Sequence, residues 1–234
     1  MGTGTFLRVE DPEKGACPRR SVRQRYNAGM NLKRASCPTC LRPASTCICH
    51  WITPVASHAA LLILQHPMEV SNAKNTARLL HLSLPGSTLA VGEQFDEEAL
   101  GALLEGPRRP VLLYPETPGD ASLGIAPAPP FESAWADDPA GLLLVVLDAT
   151  WRKSRKMLYL NPALQALPRL ALRDVPASQY HIRKAHAPGQ LSTFEATVHA
   201  LAQIEGIEAR YAPLLAAFDG FIGQQQSQAS ANQL

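Results

Sequence analysis

One stretch constrains the fold more than any other: residues 141–148, GLLLVVLD. Its apolar core shows no alternation, so a strand here is covered on both faces. That predicts a central strand of a parallel sheet, since an antiparallel sheet with one wet face would show a period of two. Three further runs have the same character: residues 59–65 (AALLILQ), 88–91 and 110–114 (PVLLY), with 169–172 a weaker fifth. Helical patterns lie between them. Ser71 reads as the cap of a helix through Ala73, Ala77, Leu80 and Leu82. Residues 96–104 place acids in the first turn of a helix, where its dipole favours them. A helix over 154–160 is interrupted by Asn161-Pro162, and two more follow over 193–205 and 209–222. Strands alternating with helices predict an α/β domain over 59–222, with a mostly parallel sheet and helices on both faces. Ligands of such sheets bind beyond the carboxyl ends of the strands. The six prolines of residues 115–139 mark a long loop.

The flanks are different in kind. Residues 1–30 are polar and basic and read as a flexible basic arm; residues 223–234 (GQQQSQASANQL) read as a disordered Gln-rich tail. No apolar run approaches the ~20 residues that span a bilayer, so no membrane association is expected. The first residues lack the apolar core of a secretory signal, which makes the expected compartment cytoplasmic. There is no P-loop and no G-x-G-x-x-G, so nucleotide triphosphate and dinucleotide chemistry lose support.

Four of the five cysteines form one cluster: Cys37, Cys40, Cys47 and Cys49, spaced C-x2-C-x6-C-x-C. Four thiolates close a tetrahedral site, which suits a structural Zn²⁺ with no open position. Pro38 and Pro43 suit the turns between ligands. Residues 31–58 are therefore expected to form an N-terminal zinc knuckle. His50 and His58 are near enough in sequence to replace one thiolate, which leaves the ligand set open, and Cys17 stands apart.

The formal net charge of +2 conceals opposing blocks. Residues 1–40 and 150–190 are basic, and residues 91–140 are acidic. The second basic block holds eight Lys or Arg against the single acid Asp174, an arrangement suited to a polyanion. It begins directly after Asp148-Ala-Thr-Trp151, at the end of the expected central strand. A carboxylate there can orient a donor or accept a proton, a Trp can stack on a flat ring, and the cations can hold phosphates. Arg152, Lys153, Arg155, Lys156, Arg183 and Lys184 are the candidate residues for the phosphates of such a polyanion.

The motif Asp148-x-Thr150-Trp151 resembles the signature of the DTW-domain family of tRNA-uridine aminocarboxypropyltransferases. The likeness extends to the upstream cysteines, His66-Pro67-x-Glu69 with Lys74-Asn75-Thr76-Ala77, Tyr180-x-x-Arg183-Lys184, and Leu191-Ser192-Thr193-x-Glu195-Ala196. Together these cover roughly residues 35–220. The resemblance implies a fold related to the trefoil-knotted (SPOUT-like) RNA methyltransferases, a rare exception to the rule against threading. It also implies S-adenosylmethionine as donor of a 3-amino-3-carboxypropyl group to N3 of a tRNA uridine (U47 of the variable loop in bacterial members), with methylthioadenosine released.

The reaction is a substitution at a carbon beside a sulfonium, already a good leaving group, so a structural rather than Lewis-acidic metal is compatible with it. What remains is to place the reacting carbon in line with N3 and to remove the N3 proton. Asp148, with Thr150 and Trp151, is the expected catalytic set, Asp148 either orienting or deprotonating N3–H. His66, Leu191, Ser192, Thr193 and Glu195 are the expected cofactor-binding residues. A helix beginning at Thr193 would turn its amide-rich end toward a carboxylate, while Ser192 and Glu195 fit a capping box. Two other readings are a knotted-fold RNA methyltransferase and a noncatalytic zinc-dependent RNA-binding module. Product mass separates the first, and S-adenosylmethionine binding the second.

Overall fold

The structure is a computed structural model and describes residues 35–115, 122, 124–125, 127–174, 176–178 and 191–231. The expected arm at 1–30 and Arg183 and Lys184 lie outside the described residues. Five strands, β1 (Ala60–Gln65), β2 (Thr88–Val91), β3 (Arg109–Leu113), β4 (Leu142–Asp148) and β5 (Arg169–Leu170), form one sheet in the order β2-β1-β4-β3-β5. Every pairing is parallel. The uninterrupted apolar run of β4 takes the middle place, as its lack of alternation requires. Its last residue, Asp148, stands in register with Gln65, which is itself opposite Val91.

Successive side chains of these strands enter two cores, as the pleat dictates. Leu61, Ile63, Leu144 and Val146 face α2 (Ala77–Ser83), α6 (Thr193–Glu205) and α7 (Glu208–Ala231). Leu62, Leu64, Val145 and Leu147 face α3 (Glu97–Leu104), α4 (Trp151–Leu160) and α5 (Pro162–Gln165). Helices thus cover both faces. The path from β5 to α6, on which the expected knot depends, passes through residues outside those described. Among the described residues no helix is long and apolar enough to cross a membrane.

Three local expectations change. Ser71 does not start a helix; it closes the short α1 (Pro67–Val70). His66-Pro67 starts α1 instead, with Pro67 at a helix-ready φ and His66 Nδ1 accepting from Met68 N at 3.1 Å. The next helix, α2, begins only after Thr76. Among its described residues the long proline-rich loop includes the short 3₁₀ turns Ser133–Asp137 and Pro139–Gly141. The Gln-rich segment is also not a free tail, because α7 continues through it to Ala231. Its glutamines have partners: Gln224 accepts from Trp51 Nε1 at 2.6 Å and donates to Cys47 O at 3.1 Å, and Gln228 donates to Ser45 O at 3.5 Å. Low complexity therefore conceals a docked helix face.

The knuckle on which α7 docks contains two 3₁₀ turns, Ala44–Thr46 and Cys49–Trp51. Cys37, Cys40 and Ile48 belong to the same apolar core as α6 and α7, so the knuckle is built into the domain. Gly220 makes this possible. A methyl group there would overlap the Trp51 ring, so only glycine lets helix and knuckle approach so closely.

Candidate active site

The carboxyl ends of β1 and β4 bring together a buried polar cluster. Asp148 is 1% exposed. Its Oδ2 accepts from Gln65 Nε2 at 2.9 Å and from Asn75 Nδ2 at 2.5 Å, and its Oδ1 accepts from Thr193 Oγ1 at 2.8 Å. Burial pushes this carboxyl above the ordinary Asp value, and the Gln65, Thr193 and Asn75 donors oppose that rise. The geometry is that of a positioning group: one carboxylate joins β1, the loop before α2 and the head of α6.

Ser192 caps α6. Its Oγ accepts from Glu195 N at 3.2 Å, while Ser192 N donates to Glu195 Oε2 at 2.8 Å, so the expected capping box is present. Glu195 also accepts from Ser178 Oγ. Its carboxylate is thereby committed to ordering the loop end and the helix start.

Beside this cluster a cleft of about 280 Å³ opens at the carboxyl ends of β3, β4 and β5. Its walls include Tyr114, Trp151, Ser154, Leu191, Ser192 and Thr193. Trp151, 42% exposed, meets Tyr114 edge-on at 5.6 Å, and Tyr114 Oη lies 3.0 Å from Ser154 Oγ. Thr150 precedes α4 and is exposed, with its side chain making no capping bond. The expected residues Trp151, Leu191, Ser192 and Thr193 thus meet at one opening. His66 lies outside the cleft lining. Its Nδ1 accepts from Met68 N, so Nε2 carries the proton donated to Glu93 Oε1 at 2.9 Å.

The basic face of α4 is partly neutralised within the chain. Lys153 bonds Glu69 Oε1 at 2.9 Å, and Lys156 bonds Glu93 Oε2 at 2.8 Å. Lys156, then His66, holds the Glu93 carboxyl below its ordinary value. Glu69 is 1% exposed, so Lys153 neutralises a buried charge. Asn72 Nδ2 also donates to Glu69 Oε2 at 3.0 Å, so Lys153→Met removes the neutralising charge and leaves a hydrogen bond, and is expected to lower stability by about 1–3 kcal/mol. Arg152 is exposed, and Arg152→Met is expected to leave the melting temperature unchanged. Thermal unfolding of the two variants checks this; equal melting temperatures would remove the distinction.

The four cysteine Sγ atoms lie within 4.8 Å of one another, with Cys37–Cys49 at 3.5 Å and Cys40–Cys47 at 3.7 Å. Tetrahedral ligation at a Zn–S distance of ~2.3 Å places sulfurs ~3.8 Å apart, so the donor set fits such an ion. Burial, reinforced by the neighbouring thiols, pushes the Cys49 thiol well above its ordinary value, so thiolate formation there needs a cation. The histidines considered as substitutes are placed elsewhere: His50 packs on Trp51, and His58 Nδ1 lies 4.0 Å from Glu205.

Gln65, Asn75, Tyr114 and Ser154 were not singled out from sequence as site residues. Gln65 and Tyr114 did carry a signal, each being a polar end to an apolar strand. Asn75 lay within a motif already noted, and Ser154 had no distinguishing mark.

The chain is thus a parallel α/β domain with a cleft at its carboxyl edge and a four-cysteine cluster that could hold a metal ion. The DTW domain matches residues 34–226, and the chain belongs to that family. It is 32% identical to tRNA-uridine aminocarboxypropyltransferase 2 of Drosophila melanogaster over 182 residues, covering 74% of this chain and 68% of that protein. The protein of the same name in Mus musculus is 29% identical over 180 residues, 74% of this chain and 57% of its own length. tRNA-uridine aminocarboxypropyltransferase A of Arabidopsis thaliana is 27% identical over 150 residues, 59% of this chain and 55% of its own. The matched region is thus little more than half of the mouse and plant proteins. No solved structure matches the chain.

Proposed function

We propose that this protein transfers the 3-amino-3-carboxypropyl group of S-adenosylmethionine to N3 of a tRNA uridine, and that its cysteine knuckle holds a structural Zn²⁺. The observation that carries this reading is the meeting of Trp151 and Thr193 in the wall of one cleft, with buried Asp148 holding Thr193 from behind, in a chain whose similar proteins bear that activity in their names. In the reaction a bond forms between N3 and the γ-carbon of the methionine moiety, the carbon–sulfur bond breaks with its electron pair staying on sulfur so that neutral methylthioadenosine leaves, and the N3 proton passes to solvent water.

The cleft is near the lower end of the ~300–1,000 Å³ of ligand pockets. Its chemistry suits such a donor. Trp151 offers an exposed ring face for a base, and the head of α6 at Ser192 and Thr193 favours a carboxylate. Asp148 acts by position. It is buried, its oxygens accept three donors, and it holds Thr193 at the cleft, all of which support an orienting role.

Mass spectrometry of nucleosides from tRNA incubated with the protein and S-adenosylmethionine tests substrate, donor and transferred group together. An aminocarboxypropyl adduct on uridine is the expected product. A methyl adduct would make the protein a methyltransferase, and an unmodified digest would overturn the reading.

A further inference from the structure

The knuckle does more than cap the domain. We propose that Arg42 is a positioning residue for the reaction, tying the cysteine cluster to the loop that carries Asn75 and so setting the geometry of Asp148. This rests on the functional reading above.

Arg42 follows Cys40 by two residues, and its carbonyl accepts from Cys37 N at 2.7 Å, so its backbone belongs to the turn that presents the sulfurs. Its guanidinium leaves the knuckle. One nitrogen donates to Ala73 O and the other to Asn75 O, each at 2.8 Å. The cation also lies over the Phe221 ring of α7, 5.3 Å from its centre. Residues 71–76 form neither helix nor strand, so their path is set by such ties. Arg78 adds a second one, from α2 to Thr39 O at 2.6 Å.

The far side of that loop is the catalytic cluster. Asn75 is 4% exposed. Its Oδ1 accepts from Gln65 Nε2 at 3.2 Å, and its Nδ2 donates to Asp148. Asp148 in turn receives Thr193 at the cleft edge. Three side chains, Arg42, Asn75 and Asp148, therefore connect the cysteine turn to the head of α6. A planar fork can span two carbonyls of one loop at once, which a lysine ammonium on a flexible stem cannot reproduce. Misplacement of a site by ~1 Å costs on the order of 10²-fold in rate, so a loosened loop is expected to act on turnover.

The test is a double-mutant cycle in the full-length, metal-loaded protein, with Arg42→Met, Asn75→Ala and the double variant. Turnover, KM for tRNA, S-adenosylmethionine affinity by calorimetry, and metal per chain are read together. Arg42→Met is expected to keep its metal and its KM for tRNA within about twofold, and to lose about 10- to 100-fold in turnover. Adding it to Asn75→Ala is expected to cost little more than Asn75→Ala alone, because both act through Asp148. Should Arg42→Met fail to fold, Arg42→Lys keeps the charge and the stem over Phe221 and carries the same cycle. Multiplicative losses would overturn the relay, as would full turnover in Arg42→Lys. Loss of metal in the variant would also overturn it, by making Arg42 a support of the cluster alone. A wild-type protein that transfers nothing would overturn the functional reading instead.

Discussion

Asp148→Ala is expected to reduce transfer by at least about 10²-fold while tRNA binding is retained. The carboxylate is 1% exposed and so has no surface to offer RNA. Its removal leaves buried Asn75 Nδ2 without its acceptor, takes one of two acceptors from Gln65 Nε2, and releases Thr193 Oγ1 at the cleft wall. Orphaned buried donors cost about 1–3 kcal/mol each, offset in part because a buried charge is no longer desolvated. A lower melting temperature is therefore expected, and rates belong to the folded fraction. Asp148→Asn keeps the shape but turns an amide group toward donors, so it should retain the fold better and regain little activity. An Asp148→Ala enzyme with normal turnover would sink the role. The pH profile has a definite sign. The ionised carboxylate accepts all three bonds, and its pKa lies above the ordinary Asp value. Activity should then fall as pH drops through that raised pKa. Thr193→Val removes one donor that favours ionisation, which moves the fall to higher pH.

Removal of the metal is expected to have the largest effect on stability. Purified protein should contain about one zinc per chain. Cys47→Ser, or a strong chelator, should abolish binding and destabilise the knuckle by several kcal/mol or more, since metal binding in such sites is folding free energy. The damage should extend to α7, which is held by Cys47 O through Gln224 and by Trp51 against Gly220. Hydrogen exchange checks this: amides of residues 220–231 should lose protection when the metal is removed. Unchanged protection there, in protein shown to be metal-free, would count against the arrangement.

Much of the fold was legible because it is written in local pattern. The unalternating run of β4 marked the sheet centre, and Ser192 with Glu195 marked the start of α6. Cysteine spacing marked the knuckle, and the geometry agrees. What was not legible depends on partners distant in sequence. A glutamine-rich segment carries no apolar period, and its helix exists because Trp51 and the Cys47 carbonyl receive it. Ser71 has the residue type of a helix start, but His66-Pro67 starts the helix just before it, and Ser71 falls at that helix's end. In the site, Asp148 and Thr193 stood out singly, but their bond joins positions 45 residues apart. Arg42 carries no mark in the sequence, and only the loop opposite gives it a purpose.

The contact between Trp51 and α7 has a consequence for the order of events during synthesis. The cysteine turn is made before α7, because its partner Gln224 lies 173 residues later than Trp51. Throughout that interval the turn lacks the helix that finally covers it. A bound ion is suited to holding the turn until then, because four nearby thiols can close around it using local chain alone. Metal loading would then precede completion of the domain, and a shortage of zinc in a growing cell would affect newly made chains before it touched finished ones.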